Sequence, residues 1–257
     1  MENSYQILPV SEGCLYVKFG ENISPEINRQ ARKLSNYVEK HPFAGFIETV
    51  VSYTGLAVLY APGVVRKAGK NKLNAFQIVG ELMEEYLTQM GSMPDEPSRV
   101  VEIPVCYGEE YGPDLEYVAS YHGLSQYEVV DIHIGGEYLC YMIGFCPGFP
   151  YLGGMNERIA TPRRETPRLA IPARSIGIAG SQTGGYPIST PGGWQIIGRS
   201  AVDMYDPAAE HPSLLQAGDL VRFRSISVEE YREIRARRLP REMFLAVVRQ
   251  AAMPDIY

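Results

Sequence analysis

Short apolar runs alternate with polar turns along the first sixty positions. Tyr5 to Val10 and Cys14 to Phe19 read as two strands around a turn at Ser11–Gly13. Ser24-Pro25 then opens a helix, with Ser as N-cap and Pro in the first turn. Ile27, Ala31, Leu34 and Val38 give this helix one apolar face, which ends near His41-Pro42. Phe46 to Ser52 and Leu56 to Tyr60 read as strands joined by a turn at Tyr53-Thr54-Gly55. A second helix is predicted from about Asn71 to Met90, with Phe76, Val79, Leu82, Met83 and Tyr86 facing inward. This order predicts a small α/β sandwich of the split βαβ kind, with two helices over one face of an antiparallel sheet.

The pattern breaks at Gly91-Ser-Met-Pro-Asp-Glu-Pro97, a polar stretch with two prolines that reads as a linker. It divides the chain into a domain over 1–92 and a second over 98–257. Beyond it, Arg99 to Tyr107 is a Val/Ile-rich strand, and Asp114 to His122 and Ser125 to His133 are short helices. The second of these helices begins with the capping box Ser125-x-x-Glu128. Tyr138 to Gly144 is another strand. From Gly144 to Arg199, Gly and Pro cut the chain into short pieces. Ile176 to Ala179, Gln195 to Gly198 and Leu220 to Phe223 read as strands. Many short strands between Gly/Pro turns predict a closed or nearly closed β-barrel, and an α+β protein as a whole. Ser227-x-x-Glu230 caps a late helix that stops before Pro240, and its run Arg235-Ala-Arg-Arg238 reads as a solvated helix face.

Charge and composition narrow the function classes. A net charge of -6 over 257 residues argues against a nucleic-acid scaffold, which needs a basic face. Cys14, Cys106, Cys140 and Cys146 form no Cys-x-x-Cys pair, and His41, His122, His133 and His211 show no ligand spacing. Reduced thiols and no metal site are expected. Met1 to Gln6 is polar, and no apolar run approaches the ~18 residues of a membrane span. A cytoplasmic protein without a membrane partner is the expectation. Gly63 to Asn71 has a spacing close to a phosphate-binding loop, but with one residue too many and no Ser or Thr for magnesium. It reads better as a hairpin exit with a basic tip. The chain carries no self-contained catalytic signature.

The informative stretch is Gly144-Phe-Cys-Pro-Gly-Phe-Pro-Tyr-Leu-Gly-Gly154. It is followed by Thr161-Pro-Arg-Arg-Glu-Thr-Pro-Arg168, Ile171 to Thr183, Gly185-Tyr-Pro187 and Thr190-Pro-Gly-Gly-Trp-Gln195. Pro fixes φ and Gly permits close backbone approach, so such loops hold side chains on a stiff frame. Phe149, Tyr151, Tyr186 and Trp194 supply aromatic walls, and Arg168, Arg174, Arg199, Gln182 and Thr183 supply donors. Aromatic walls with a few fixed cationic donors suit a small anionic ligand. The same loops also fit an ordinary packed barrel rim, and residue chemistry alone names no ligand.

These motifs resemble a known bacterial family. Phe145-Cys-Pro-Gly-Phe-Pro-Tyr-Leu-Gly-Gly154, Pro162-Arg163 with Pro167-Arg168, Ile178-Ala-Gly180 with Gln182-Thr183, and Pro191-Gly-Gly-Trp194 carry the likeness, with Tyr205-Asp-Pro207 and Gly218-Asp219 after them. The family is that of allophanate hydrolase subunit 1, or KipI. It includes the B-type subunit of 5-oxoprolinase and one half of the urea carboxylase carboxyltransferase domain. The resemblance implies a cyclophilin-like β-barrel after the small N-terminal domain. It also implies a subunit of an ATP-dependent 5-oxoprolinase, inactive alone, that opens 5-oxo-L-proline to L-glutamate. The partners it implies are a larger paralogous barrel subunit of the C type and a lactam-utilisation subunit of the A type. ATP with Mg is expected to be held together with a partner. Two other uses of the family stay open: a KipI-type inhibitor of a sensor histidine kinase, and a subunit of an allophanate hydrolase or urea carboxylase-like complex. Under the resemblance, Arg168, Gln182 and Tyr186 are candidate catalytic residues. Phe149, Tyr151, Thr183, Gly192, Gly193, Trp194 and Arg199 are candidate substrate contacts. One departure is visible: Arg174 stands where relatives usually carry Gly.

Overall fold

In the computed structural model, which describes residues 5–69, 74–91, 98–237, 243 and 245–246, the first predicted helix forms as α1 (Pro25–Lys40). Ser24 accepts the Ile27 N–H at 3.1 Å and Pro25 occupies the first turn, so both sequence signals act where expected. The chain groups into two units, Met1–Glu96 and Pro97–Tyr257. In the first, β1 (Gln6–Ser11), β2 (Cys14–Lys18), β3 (Phe46–Val51) and β4 (Gly55–Tyr60) form one sheet in the order β1-β2-β4-β3. All its pairings are antiparallel. Leu15, Val17, Leu56 and Val58 pack from the sheet onto Leu34 and Val38 of α1 and onto Val79 and Met83 of α3 (Ala75–Met90). Burial of each such side chain stabilises the unit by roughly 1.5–3 kcal/mol.

The Gly63 segment departs from its sequence reading. It is neither a phosphate loop nor a hairpin exit but a short helix, α2 (Pro62–Ala68). Pro62 presets the first turn, Val65 is buried in the core, and the Gly69 N–H closes the end on the Val65 carbonyl. Asn71, positions 92–97 of the predicted linker, and Arg238 and Pro240 at the end of the late helix lie outside the described residues.

The second unit is a barrel. Its strands are β5 (Val100–Tyr107), β6 (Tyr138–Ile143), β7 (Pro150–Gly153), β9 (Ser175–Ala179), β10 (Gln182–Gly185), β12 (Gln195–Ser200) and β13 (Leu220–Ser225). They run in the order β12-β9-β10-β7-β6-β13-β5, and the β12–β5 pairing closes the ring. The β13–β5 pair is parallel and the others are antiparallel. A separate two-stranded sheet, β8 (Arg168–Ile171) with β11 (Thr190–Gly192), is not part of the ring. A two-residue strand, β14 (Leu245–Ala246), pairs with β5 at Val100 and Val101. The interior is packed solid by Ile103, Val105, Leu152, Ile178, Val221 and Phe223. Helices α4 (Leu115–His122) and α5 (Gln126–Ile134) pack on this core through Leu115, Val118 and Val129. The capping box at Ser125 and Glu128 is present. Arg99 grips the buried Asp219 carboxylate with two hydrogen bonds of 2.8 and 2.6 Å, tying the start of β5 to that of β13.

Helix α6 (Val228–Arg237) does not leave its basic run fully solvated. Arg235 is half-buried and donates to the Asp203 carboxylate at 2.9 Å, because α6 packs Tyr231 and Ile234 against the barrel wall beside Ala201. Arg174 sits at φ +69, in the left-handed region that favours glycine. Its side chain reaches Asp203 at 3.1 Å, so the departure adds an ion pair at a strained turn.

Candidate functional site

Side chains alternate across each barrel strand, and this alternation sorts the predicted site residues. Ile176, Ile178 and Leu152 point inward to the core, while Ala179 and Ile196 join a second cluster on the outer face. That cluster gathers Phe149, Ile171, Ala179, Tyr186, Trp194 and Ile196, with Cys146 and Tyr151 packed at its border. Its centre is the Phe149 ring. Tyr151, Tyr186 and Trp194 meet it edge-to-face at centroid distances of 5.2, 5.3 and 5.4 Å, and the exposed Phe145 at 5.4 Å. Phe149, Tyr186 and Trp194 are only 2%, 2% and 5% exposed, so these rings fill the space between them. Burial pushes the Tyr186 hydroxyl up to about 12, against the opposing pull of the Trp194 backbone N–H and the Arg163 cation.

Two glycines make the cluster possible. A Cβ on Gly184 would lie 2.8 Å from the Pro150 carbonyl oxygen and 3.1 Å from the Trp194 ring. One on Gly192 would lie 2.5 Å from the Tyr186 hydroxyl and 2.7 Å from Ile171 Cδ1. Gly193, its neighbour, has nothing nearer than 3.7 Å, at Pro167. Gly192→Ala is therefore expected to cost about 1–3 kcal/mol in denaturant unfolding. Gly193→Ala should cost well under about 1 kcal/mol. Equal losses at the two positions would contradict the packing described here.

Gln182 opens β10 opposite Ala179, which places it on the outer face with the aromatic cluster. Thr183 points the other way. It is fully buried, donates to the Gly177 carbonyl at 3.1 Å and lies 2.9 Å from His133 Nε2. The hydroxyl proton is thus used on Gly177, so Nε2–H of His133 is the donor to Thr183. Nδ1 of His133 then accepts from Tyr107, whose hydroxyl lies at 2.7 Å. Thr183 is a strut of the barrel interior, with its hydroxyl engaged by both His133 and Gly177. Arg199 lies apart from the aromatic cluster, with its guanidinium over the Tyr111 ring at 5.6 Å.

Arg168 is held by a residue that sequence reasoning missed. Asp114, 4% exposed at the N-cap of α4, receives Arg168 through a fork of 2.7 and 2.8 Å. It also accepts from Arg164 at 2.9 Å and from the Ile196 backbone N–H at 2.6 Å. The Arg164 N–H bonds to the Gly193 carbonyl, and Gln195 Nε2 to the Pro162 carbonyl. The loop from Thr161 to Arg168 is thereby stitched to the Gly193–Ile196 segment. Arg168 still acts electrostatically on Tyr186, but its fork is spent on Asp114 rather than open to an anion. Only the N-cap position of Asp114 was visible in the sequence. A cleft of about 650 Å³ between α4 and α5, lined by Tyr107, Glu116, Gln126, Tyr127 and Asp131, was likewise not anticipated.

Among the described residues, no group of His, Cys, Asp and Glu gathers as a metal site. No described helix is long and apolar enough to cross a membrane. The Gly63 segment is helical, and Arg164 and Arg168 are engaged with Asp114.

A closed seven-stranded barrel of cyclophilin-like type, following a four-stranded α/β unit, defines the class of protein. Residues 5–215 match the carboxyltransferase domain, subdomain C and D, and the chain belongs to that family. It is 47% identical to the B-type subunit of 5-oxoprolinase from Bacillus subtilis over 228 residues, 88% of this chain and 95% of that protein. With the corresponding 5-oxoprolinase subunit of Haemophilus influenzae it shares 36% identity, over 84% of this chain and 96% of that protein. The crystal structure of TTHA0988 superposes with a TM-score of 0.71 at 37% identity, over 83% of this chain but only 40% of that one. The Kluyveromyces lactis urea amidolyase, at 17% identity and a TM-score of 0.65 over 90% of this chain and 16% of its own, shares the fold.

Proposed function

We propose that this chain is the B-type subunit of an ATP-dependent 5-oxoprolinase. It acts with a larger paralogous barrel subunit and a lactam-utilisation subunit to open 5-oxo-L-proline to L-glutamate. The observation that carries the reading is the near full-length likeness to the Bacillus subtilis 5-oxoprolinase subunit. The need for partners has independent support. The part of TTHA0988 that matches this chain is 40% of a longer polypeptide, so there the unit is covalently joined to more protein. ATP with Mg is assigned to a site completed by a partner, since Arg164 and Arg168 already hold Asp114 and the Gly63 segment is a helix rather than a phosphate loop. This chain's contribution is the rigid aromatic face around Phe149, with Tyr151 and Gln182 at its border, where a small amide is oriented and a partner excludes water.

The test is reconstitution of the three subunits with glutamate and ADP followed together, omitting each subunit in turn. Release of both products is expected only from the complete mixture. Gln182→Ala should lower the rate by about tenfold or more without moving the unfolding midpoint. Full activity without this chain would remove it from the enzyme, and activity from this chain alone would reveal a complete active site.

A further inference from the structure

Arg199 differs from the other half-buried arginines of its unit. Arg99, Arg164, Arg168, Arg174 and Arg235 each hold a carboxylate. Among the described residues, no carboxylate lies within ion-pairing distance of Arg199. Its guanidinium rests on the Tyr111 ring at 5.6 Å, and its Nε is buried without a hydrogen-bond partner. A ring face attracts the cation but accepts few of its five N–H donors.

The strand register places a second orphan beside it. Ser175 on β9 lies directly opposite Arg199 on β12, and Arg199 lies opposite Cys106 on β5. Directly opposed residues share a face, so the three side chains form one row across the outer wall of the barrel. Ser175 is fully buried, and its hydroxyl has no partner. A buried hydroxyl left unmatched costs about 1–3 kcal/mol, and native structures rarely leave one without a reason.

Arg174 precedes Ser175 in the chain, and Arg235 reaches the Ala201 carbonyl at 3.3 Å. These two share one carboxylate, Asp203. Asp203 is thus already shared between two guanidinium groups, and Arg199 is left without it. Glu109, Glu110 and Glu229 act on the Cys106 thiol at the far end of the row, but none pairs with Arg199.

We propose that Arg199, with Ser175 beside it, is the seat of a small oxyanion, a phosphate or a carboxylate group, separate from the aromatic cluster. The planar guanidinium fork matches either group with two parallel hydrogen bonds. The site supplies the counter-ion that the fold leaves out. It does not depend on the reading of the chain as a 5-oxoprolinase subunit, and its test uses neither ATP turnover nor partner subunits.

The experiment is calorimetric titration of the full chain at low chloride, with inorganic phosphate in one series and L-glutamate in another. Saturable binding of one equivalent is expected. A stronger phosphate signal identifies a phosphate seat, and a stronger glutamate signal a carboxylate seat. Arg199→Gln should weaken binding by at least about tenfold, the loss of one charge-assisted fork. Ser175→Ala should weaken it by a smaller factor, and Arg222→Gln, at an exposed guanidinium paired with Glu137, should leave it unchanged. Arg199→Lys, which keeps the charge and loses the fork, should fall between wild type and Arg199→Gln and serves if the Gln variant does not fold. The proposal is overturned if neither anion binds wild type at tens of millimolar, or if Arg199→Gln binds as well as wild type. The counter-ion would in that case be a carboxylate of a partner protein.

Discussion

Asp114→Ala is expected to destabilise the barrel unit by about 3 kcal/mol, the lower end of the cost of removing one partner from a buried ion pair. The lower end applies because the Arg164 and Arg168 side chains are 35% and 25% exposed and so keep some solvation. Three losses add together at this one position. Arg168 loses its fork, Arg164 loses its acceptor, and the Ile196 N–H is left buried with nothing to donate to. The two guanidinium groups then face each other without the charge between them. Trp194 is the only tryptophan of the chain and is buried in the second unit, so its fluorescence reports this unit specifically. A shift of the denaturant midpoint with unchanged slope is the expected signature. A loss below about 1 kcal/mol would show that the pin holds little, since that is the range of an exposed pair.

His133 makes the second large effect, and its sign follows from burial. The imidazole is fully buried, stacks on Phe223 at 4.5 Å and is pushed down to about 3. The folded protein therefore keeps it neutral, while the unfolded chain takes up a proton below about pH 6.5. Above that value His133 adds no pH dependence. As pH falls from 6.5 toward 3 the unfolded state binds the extra proton, and stability is lost at up to about 1.4 kcal/mol per pH unit, in total about 5 kcal/mol. Protonation would also turn Nδ1 from an acceptor into a donor against the Tyr107 hydroxyl, whose own proton would need another acceptor. Asp203, whose carboxyl is held below the ordinary carboxylate range by Arg235 and Arg174 against its own burial, loses its share only at lower pH. Between pH 6.5 and 4.5 the histidine is therefore read from the difference between wild type and a variant that lacks it. Wild type should lose about 2–3 kcal/mol there, and His133→Gln, destabilised at neutral pH, should lose less across the same interval. Identical slopes for the two proteins would refute the buried neutral state.

Much of this architecture was readable from periodicity, and the failures have physical causes. The helices at Ser24 and Ser125 announce themselves through their caps, and these two and the helix read from Asp114 each form within a residue or two of the predicted start. The strands β7, β8, β10 and β11 are three or four residues long, and all but β8 carry Gly or Pro, so they are too short for an alternation to register. The helix at Pro62 was missed because its seven residues bury only Val65. The aromatic cluster was legible because its rings sit in the Gly/Pro segments that hold them. The faces of Thr183 and Arg199 were not. A bulge between Ile196 and Gly198 shifts the alternation of β12, and turns Arg199 toward the Ser175 row. Asp114 was invisible for a different reason. Its arginines lie 50 and 54 positions away, and no local pattern links them.

The closure of the ring also has a consequence in time. Strand β5 ends at Tyr107, and the strand that closes the barrel on it, β12, begins at Gln195. At ~5–20 residues per second of synthesis, β5 leaves the ribosome roughly 4–18 s before β12 exists. Its parallel neighbour β13 comes later still, at Leu220. Through that interval Val101, Ile103 and Val105 form an open, apolar edge with no strand yet made to cover it on either side. A chain stalled before Gln195 keeps that edge for good, so truncated translation products of this protein should aggregate more readily than the finished chain.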